Sequence, residues 1–309
     1  MKSQRTGHYM INRREFLISS AAAVGAATAW GQPTVQARLD RIAVMSYSFD
    51  SIVKFGVHAD DPGRTVDILD FPAMIAQRYG VHHVEIQHAH LRSTEPGYLE
   101  EFRNRLKEAK SHMAQLVLEF DDLNISSPDP VLRVETIDLT KRWIDHAVRL
   151  GCPRVMVNQG TLAPEVRRTA IDTLKKVNAY AKSRNVWVTI ENRDDPPGEG
   201  GRAAAGAAPA DWHDEYELIR AAGIWANPDP GGFPDDQSRM AGLRALYPLS
   251  SGTSHLQYNP KRWDEAKVIQ LSKEVGYKGL FSIEALPEVN GRDPYKAVQS
   301  ILDECLRDI

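Results

Sequence analysis

The chain has 309 residues, 42% hydrophobic and 26% charged, which is enough apolar material for a large core. No run of 18 apolar residues interrupts it, so no conventional membrane span is expected. The formal net charge of -3 gives no general basic face for nucleic acid.

The first feature along the chain is a leader. Asn12-Arg13-Arg14-Glu15-Phe16-Leu17 resembles a twin-arginine export signal. A mildly apolar run rich in Ala and Ser follows, and Ala27-Thr28-Ala29 has the small-x-small form of a cleavage site. The run is too short and too weakly apolar for a membrane helix. Residues 1–29 are therefore expected to be a signal peptide, with residues 30–40 a linker and the protein periplasmic or otherwise exported. Lys2, Arg5, Arg13 and Arg14 against Glu15 give the leader a balance of +3, so the chain without it would carry -6. That moves it further from a nucleic-acid binder.

From residue 41 a rhythm begins. Arg41–Phe49 reads as a strand and Phe71–Tyr79 as a helix. Val81–Gln87 is a strand, Tyr98–Met113 a helix, Ala114–Phe120 a strand and Arg133–Leu150 an amphipathic helix. Pro153–Asn158 and Val186–Glu191 are strands on either side of a helix over Pro164–Arg184. Asp211–Ala221 is a helix, Ile224–Asn227 a short strand and Ser238–Leu246 a helix. Leu249–Gln257, Asp264–Glu274, Gly279–Glu284 and Pro294–Arg307 continue as strand, helix, strand and helix.

Eight such alternations call for a parallel sheet with crossover helices. Eight units in roughly 250 residues is the size of a closed (β/α)8 TIM barrel. An open doubly wound sheet is the rival, but no G-x-G-x-x-G turn follows the first strand. The expected architecture is one α/β domain, a single (β/α)8 barrel over residues 41–309, preceded by the export signal. Pro196–Pro209 (PPGEGGRAAAGAAP) breaks the rhythm and reads as a flexible or extended loop, either a lid or a tolerated insertion. Cys152 and Cys305 have no ligand-pair spacing and read as plain thiols.

In a barrel the chemistry sits at the C-terminal ends of the strands. The fifth strand ends at Glu191, and the sixth is followed by Asp229. The seventh reaches His255, and the eighth ends at Glu284. The separations are 38, 26 and 29 residues, about one strand–helix unit each. Any one of these alone would be an ordinary rim residue. Together, three carboxylates cannot all stay ionised without a cation, and a divalent ion supplies one. The oxygen-rich set with one imidazole suits Mn²⁺, Mg²⁺, Co²⁺ or Zn²⁺.

The motifs at these positions resemble the xylose-isomerase-like barrel superfamily of sugar isomerases and epimerases. Thr189-Ile190-Glu191-Asn192 is similar to its fifth-strand glutamate motif. Asn227–Asp235 (NPDPGGFPD) is similar to its PDxGNF stretch. "SHLQ" carries the histidine and "GLFSIEAL" the last glutamate. The resemblance covers residues 41–309. It implies one divalent metal ion held by Glu191, Asp229, His255 and Glu284, with Glu191 and Glu284 as the catalytic pair. Three positions depart from it: Arg193 stands where the family often has His, Gln257 where it often has Lys, and Gly232 where it has Asn. These departures lie around the expected substrate position.

The expected chemistry is isomerisation or epimerisation of a sugar, keto-sugar or polyol through an enediolate. The alternative is a metal-dependent lyase or dehydratase that eliminates from a keto-sugar or keto-glycoside. An abasic-site endonuclease would need more metal ligands and a basic groove, and a non-catalytic sugar-binding protein would not need an intact ligand set. His88, Asn158 and Arg262 are candidates for binding substrate hydroxyl, carboxylate or phosphate groups. Glu85 and Gln87 share a strand face with no assigned role. The expected partners are a small carbohydrate and the twin-arginine export machinery, with no nucleic acid and no stable membrane span. Self-assembly into a homo-oligomer is left open.

Overall fold

Short parallel strands, buried along almost their whole length, carry the repeating pattern. In a computed structural model of the protein, residues 33–120, 123, 125–157, 164–193 and 211–309 are described. The leader at 1–29, Asn158 and the loop at 196–209 lie outside the described residues. Ala37–Ile309 forms one unit and Met1–Gln36 another.

Among the described residues of the larger unit there are eight strands: β1 (Ile42–Met45), β2 (His83–Gln87), β3 (His112–Leu118), β4 (Arg154–Val157), β5 (Trp187–Glu191), β6 (Trp225–Asn227), β7 (Thr253–Leu256) and β8 (Leu280–Ile283). They pair in parallel in the order β6-β5-β4-β3-β2-β1-β8-β7. The remaining seam, between β6 and β7, is nearly closed. Ala226 bridges Ser250 there, and the His255 N–H donates to Pro228 O at 2.9 Å. This is the (β/α)8 barrel expected from the alternation.

The intervening helices are α1 (Phe71–Tyr79), α2 (Pro96–Glu108), α3 (Pro130–Leu150), α4 (Pro164–Ser183), α5 (Trp212–Ala222), α6 (Asp236–Leu246), α7 (Glu265–Glu274) and α8 (Pro294–Asp308). Their starts are written locally. Asp129, Asp211, Asp235, Asp264 and Asp293 each accept a backbone N–H of the first turn, at 2.7–3.2 Å. Each such cap is worth about 1 kcal/mol. Gly151 ends α3 at φ 73°, a conformation that a side chain disfavours. None of the described helices is long and apolar enough to cross a membrane.

Alternation along each strand divides the core in two. Val188 and Ile190 face outward into the large apolar layer shared with the helices, as do Val84, Ile86, Leu116 and Leu118. The inward positions are mostly polar. Glu85, Gln115, Thr189 and Thr253 bond one another across the barrel, beside a small apolar cluster of Met45, Val117 and Met156. A register shift on the β2–β3 ladder brings Glu85 opposite Gln115 instead of Ala114. The two free cysteines, Cys152 and Cys305, are buried.

Three element ends differ most from the sequence reading. β1 stops at Met45 and turns into a 3-10 segment, Ser46–Phe49. α2 stops at Glu108, because Lys110 turns the chain at φ 53° and β3 begins at His112. β7 begins at Thr253, after a turn through Gly252.

Candidate metal centre

The C-terminal ends of β5 and β8, the loop after β6 and the body of β7 meet at one rim. They bring Glu191, Asp229, His255 and Glu284 together, all buried, each offering one ligand atom within 4.8 Å of the others. His255 Nδ1 faces both Glu191 Oε1, in close contact, and Glu284 Oε2 at 3.3 Å. His255 Nε2 points the other way, 2.8 Å from Glu85 Oε1.

Neighbouring groups hold the carboxylates in place. Gln257 Nε2 stands 2.9 Å from Asp229 Oδ2 and 2.9 Å from Glu284 Oε2, so one amide spans two of the acids. The Gly231 N–H donates to Asp229 Oδ1 at 2.7 Å. The Asn192 side chain locks the Asp229 backbone from both sides, accepting from Asp229 N at 2.9 Å and donating to Asp229 O at 2.8 Å. Arg193 Nε donates to Glu191 Oε2 at 3.1 Å, and its Nη2 pairs with Glu119 Oε1 at 2.5 Å.

A pair of arginines steadies the Asp229 loop from behind. Arg239 is among the most buried side chains, and it donates to Pro230 O at 2.7 Å and Phe233 O at 3.3 Å. Arg262 donates to Phe233 O at 2.8 Å. Trp263 lies against both guanidinium groups.

Electrostatics separates Glu191 from Asp229. Two carboxylates 4.8 Å apart repel by about 3 kcal/mol at an effective dielectric of ~20. Burial alone would raise the Glu191 carboxyl, but His255 and then Arg193 outweigh it and hold the group down at about 2. Asp229 goes the other way: burial first, then Glu191 and Glu284, push it well above the carboxylate range. Burial opposes a charge on His255, yet Glu191 and Glu85 raise it well above the imidazole range. Further positive charge beside Asp229 would favour its ionised form. Three carboxylate oxygens and one imidazole nitrogen that close together fit a divalent cation.

The structure thus brings all four expected ligand residues into one group. His88 is elsewhere on the rim, after β2: its Nδ1 accepts the Glu119 N–H at 3.3 Å, and its ring packs edge-on against Phe120 and Trp143. Arg262 is engaged with the loop backbone, as described above. Gln115, and the bonding roles of Glu85, Asn192 and Arg239, were not read from the sequence. One signal was available: residues two positions before each ligand must share its inward face.

A nearly closed (β/α)8 barrel with a carboxylate–histidine group at its C-terminal rim defines the class of protein. The description "Xylose isomerase-like TIM barrel" matches residues 74–231, and the chain belongs to that family. No curated protein matches its sequence. Solved structures with the same fold include a 3-keto-D-glucoside 4-epimerase from E. coli, 15% identical, TM-score 0.62, covering 87% of this chain and 100% of that one. Another is a D-psicose 3-epimerase from Clostridium cellulolyticum H10, described with D-tagatose, 12% identical, TM-score 0.65, covering 87% and 99%. A third is a xylose isomerase domain protein from Planctomyces limnophilus, 16% identical, TM-score 0.60, covering 87% and 96%.

Proposed function

We propose that the protein is a divalent-metal-dependent isomerase or epimerase acting on a sugar, keto-sugar or polyol through an enediolate. One observation carries this reading: Glu191, Asp229, His255 and Glu284 converge with their ligand atoms within 4.8 Å. The epimerases that share the fold support the substrate class. Glu191, Asp229, His255 and Glu284 would hold one ion, Mn²⁺, Mg²⁺, Co²⁺ or Zn²⁺. When bound, the ion supplies positive charge beside the substrate oxygens as negative charge develops.

The remaining chemistry falls to side chains of this chain. Glu284 is the base that takes the carbon-bound proton; the Gln257 amide donates to its Oε2, which also faces His255 Nδ1 at 3.3 Å. Glu191 is the partner that returns a proton from the opposite side. Arg193 donates to Glu191 Oε2 and sets a positive charge beside it. Gln257 and Gly231 orient Asp229, and Asn192 fixes the backbone beneath it. His88, Asn158 and Arg262 remain proposed contacts to substrate hydroxyl or acidic groups.

One observation favours a second reading. Arg193 Nε donates to Glu191 Oε2 at 3.1 Å, and that fixed positive charge disfavours the protonated carboxyl needed to return a proton. A single effective base suits β-elimination from a keto-glycoside as well as proton return. The test is to incubate Mn²⁺-loaded protein with 3-keto-glucosides in D₂O. Deuterium entering recovered sugar supports isomerisation or epimerisation, and release of the aglycone supports the lyase. Bound Mn²⁺ with neither exchange nor release would overturn both.

We further propose export of the protein by the twin-arginine route, on the sequence of residues 1–29. Replacing Arg13 and Arg14 together by Lys should leave the protein in the cytoplasm at full length. Unchanged export of that variant would overturn the assignment.

A further inference from the structure

Glu85 is a carboxylate on β2 with 0% exposure, inside the barrel and beneath the candidate metal centre. Burying an acid costs several kcal/mol unless its hydrogen bonds compensate. Apolar Met45, Val117 and Met156 fill the interior nearby, so packing alone does not call for an acid there. Its Oε1 is shared by two groups: His255 Nε2 at 2.8 Å and Gln115 Nε2 at 3.1 Å.

The Gln115 amide cannot be turned round without loss. Its Oε1 accepts from Thr189 Oγ1 at 2.8 Å and from Thr253 Oγ1 at 3.2 Å. Two hydroxyl donors on the oxygen leave the NH₂ group to face Glu85. Thr189 and Thr253 lie two residues before Glu191 and His255, on the same inward faces. The register shift between Val84 and Glu85 is what brings Gln115 level with Glu85. A single chain of bonds therefore ties the β2 acid to the strands that carry two of the four candidate ligands.

An imidazole has two nitrogens, and a neutral one carries a proton on only one of them. With the proton on Nε2, His255 donates to Glu85 and turns the Nδ1 lone pair toward Glu191 and Glu284. With the proton on Nδ1, the Nε2 lone pair would face a carboxylate oxygen 2.8 Å away, and Nδ1 would have no lone pair for a cation. We propose that Glu85 is the positioning residue of the metal centre. It holds the Nε2–H form of His255 so that Nδ1 is the ligand atom, and Gln115 holds Glu85. This rests on the metal-site reading given above. Glu85 itself touches neither ion nor substrate.

The test uses the full-length protein stripped of metal, with Mn²⁺ affinity measured by titration calorimetry and the Co²⁺ absorption spectrum recorded at saturation. Glu85→Gln keeps the shape and removes the charge, and Glu85→Leu removes the acceptor. Affinity for Mn²⁺ is expected to fall about tenfold in the first and about a hundredfold in the second, the range found for partners of metal-bound histidines. The Co²⁺ spectrum is expected to change in both, which a purely structural role would not produce in a folded variant. Gln115→Leu should give a smaller loss in the same direction. If Glu85→Leu fails to fold, Glu85→Gln decides alone. Wild-type affinity together with an unchanged Co²⁺ spectrum in folded Glu85→Gln overturns the role of Glu85 and leaves the metal site standing. A wild-type protein that binds neither ion overturns the metal site itself.

Discussion

Gly231 runs so close to Gln257 that a Cβ at Gly231 would overlap Gln257 Oε1 and stand 2.7 Å from its Cδ. Gly231 does not have a positive φ, so the constraint is space and not backbone conformation. The obstacle is the far end of a flexible side chain. Gly231→Ala should therefore fold normally but displace the amide that spans Asp229 and Glu284. The expected result is a Mn²⁺ affinity about tenfold weaker with a melting temperature near wild type. Gly232 differs, because its Cβ would meet the Asn192 backbone, with the carbonyl carbon 2.8 Å away. A backbone gives way less readily than an amide tip, so Gly232→Ala should cost about 2 kcal/mol and several °C in melting temperature. Thermal unfolding that ranks the two variants in the opposite order would contradict this geometry.

Arg193 bridges Glu191 and Glu119. Its charge works against a divalent cation on the same carboxylate and for any negative charge that develops on a substrate. Arg193→Met should therefore split the two effects. Mn²⁺ affinity should rise roughly tenfold, the scale of a 1–2 kcal/mol charge interaction in a partly exposed site. Turnover of the true substrate should fall at least as much. Calorimetry and steady-state rates on the same preparation check the pair. A parallel fall in both quantities would mean that Arg193 only props up the fold.

The barrel was legible because each strand–helix unit repeats a local pattern: a buried β-branched run, a polar loop and an amphipathic helix. The candidate metal group was legible for a related reason. Strand ends in a parallel barrel share one rim, so acids and a histidine one unit apart fall together. What was not legible is non-local. Ser46 accepts the Gln87 N–H and Ser48 bonds both Ile283 O and Ala285 N, which bends the end of β1 into a 3-10 turn. No local pattern announces partners 41 and 235 residues away. Glu85 and Gln115 meet only through a register shift that depends on how two strands pair. Arg193 and Gln257 could be read as departures from a motif, but not as the bonds they make.

Metal removal gives a stability readout that needs no substrate. An ion that binds only the folded state stabilises it by about 2.7 kcal/mol at a hundredfold excess over its Kd. Treating the protein with a chelator should therefore lower its melting temperature, and Mn²⁺ should restore it. His255→Ala and Glu191→Gln should each lose most of that rise, because the first deletes one of four converging ligand atoms and the second removes the negative charge of another. Differential scanning calorimetry with and without Mn²⁺ makes the comparison. A Mn²⁺-dependent rise that survives in both variants would place the ion elsewhere.

Glu265 offers a pH effect outside the ligand group. It opens α7 as a buried side chain, and its Oε2 accepts from Trp263 Nε1 at 2.7 Å. Burial raises its carboxyl from the ordinary 4.5 to about 8, against the smaller opposing pulls of Trp263 and Arg239. The folded protein therefore holds this proton where the unfolded chain has released it. The associated stability is fully present below pH 4.5 and is lost as the pH rises through about 8. Glu265→Gln keeps a neutral group of the same shape with an oxygen for Trp263, and nothing in it titrates. The variant should match wild type near pH 4.5 and gain on it steadily up to about pH 8, by an amount on the order of a few kcal/mol. Chemical denaturation of both proteins across that range measures the gap directly. A gap that does not change with pH would show that Glu265 is already ionised in the folded protein.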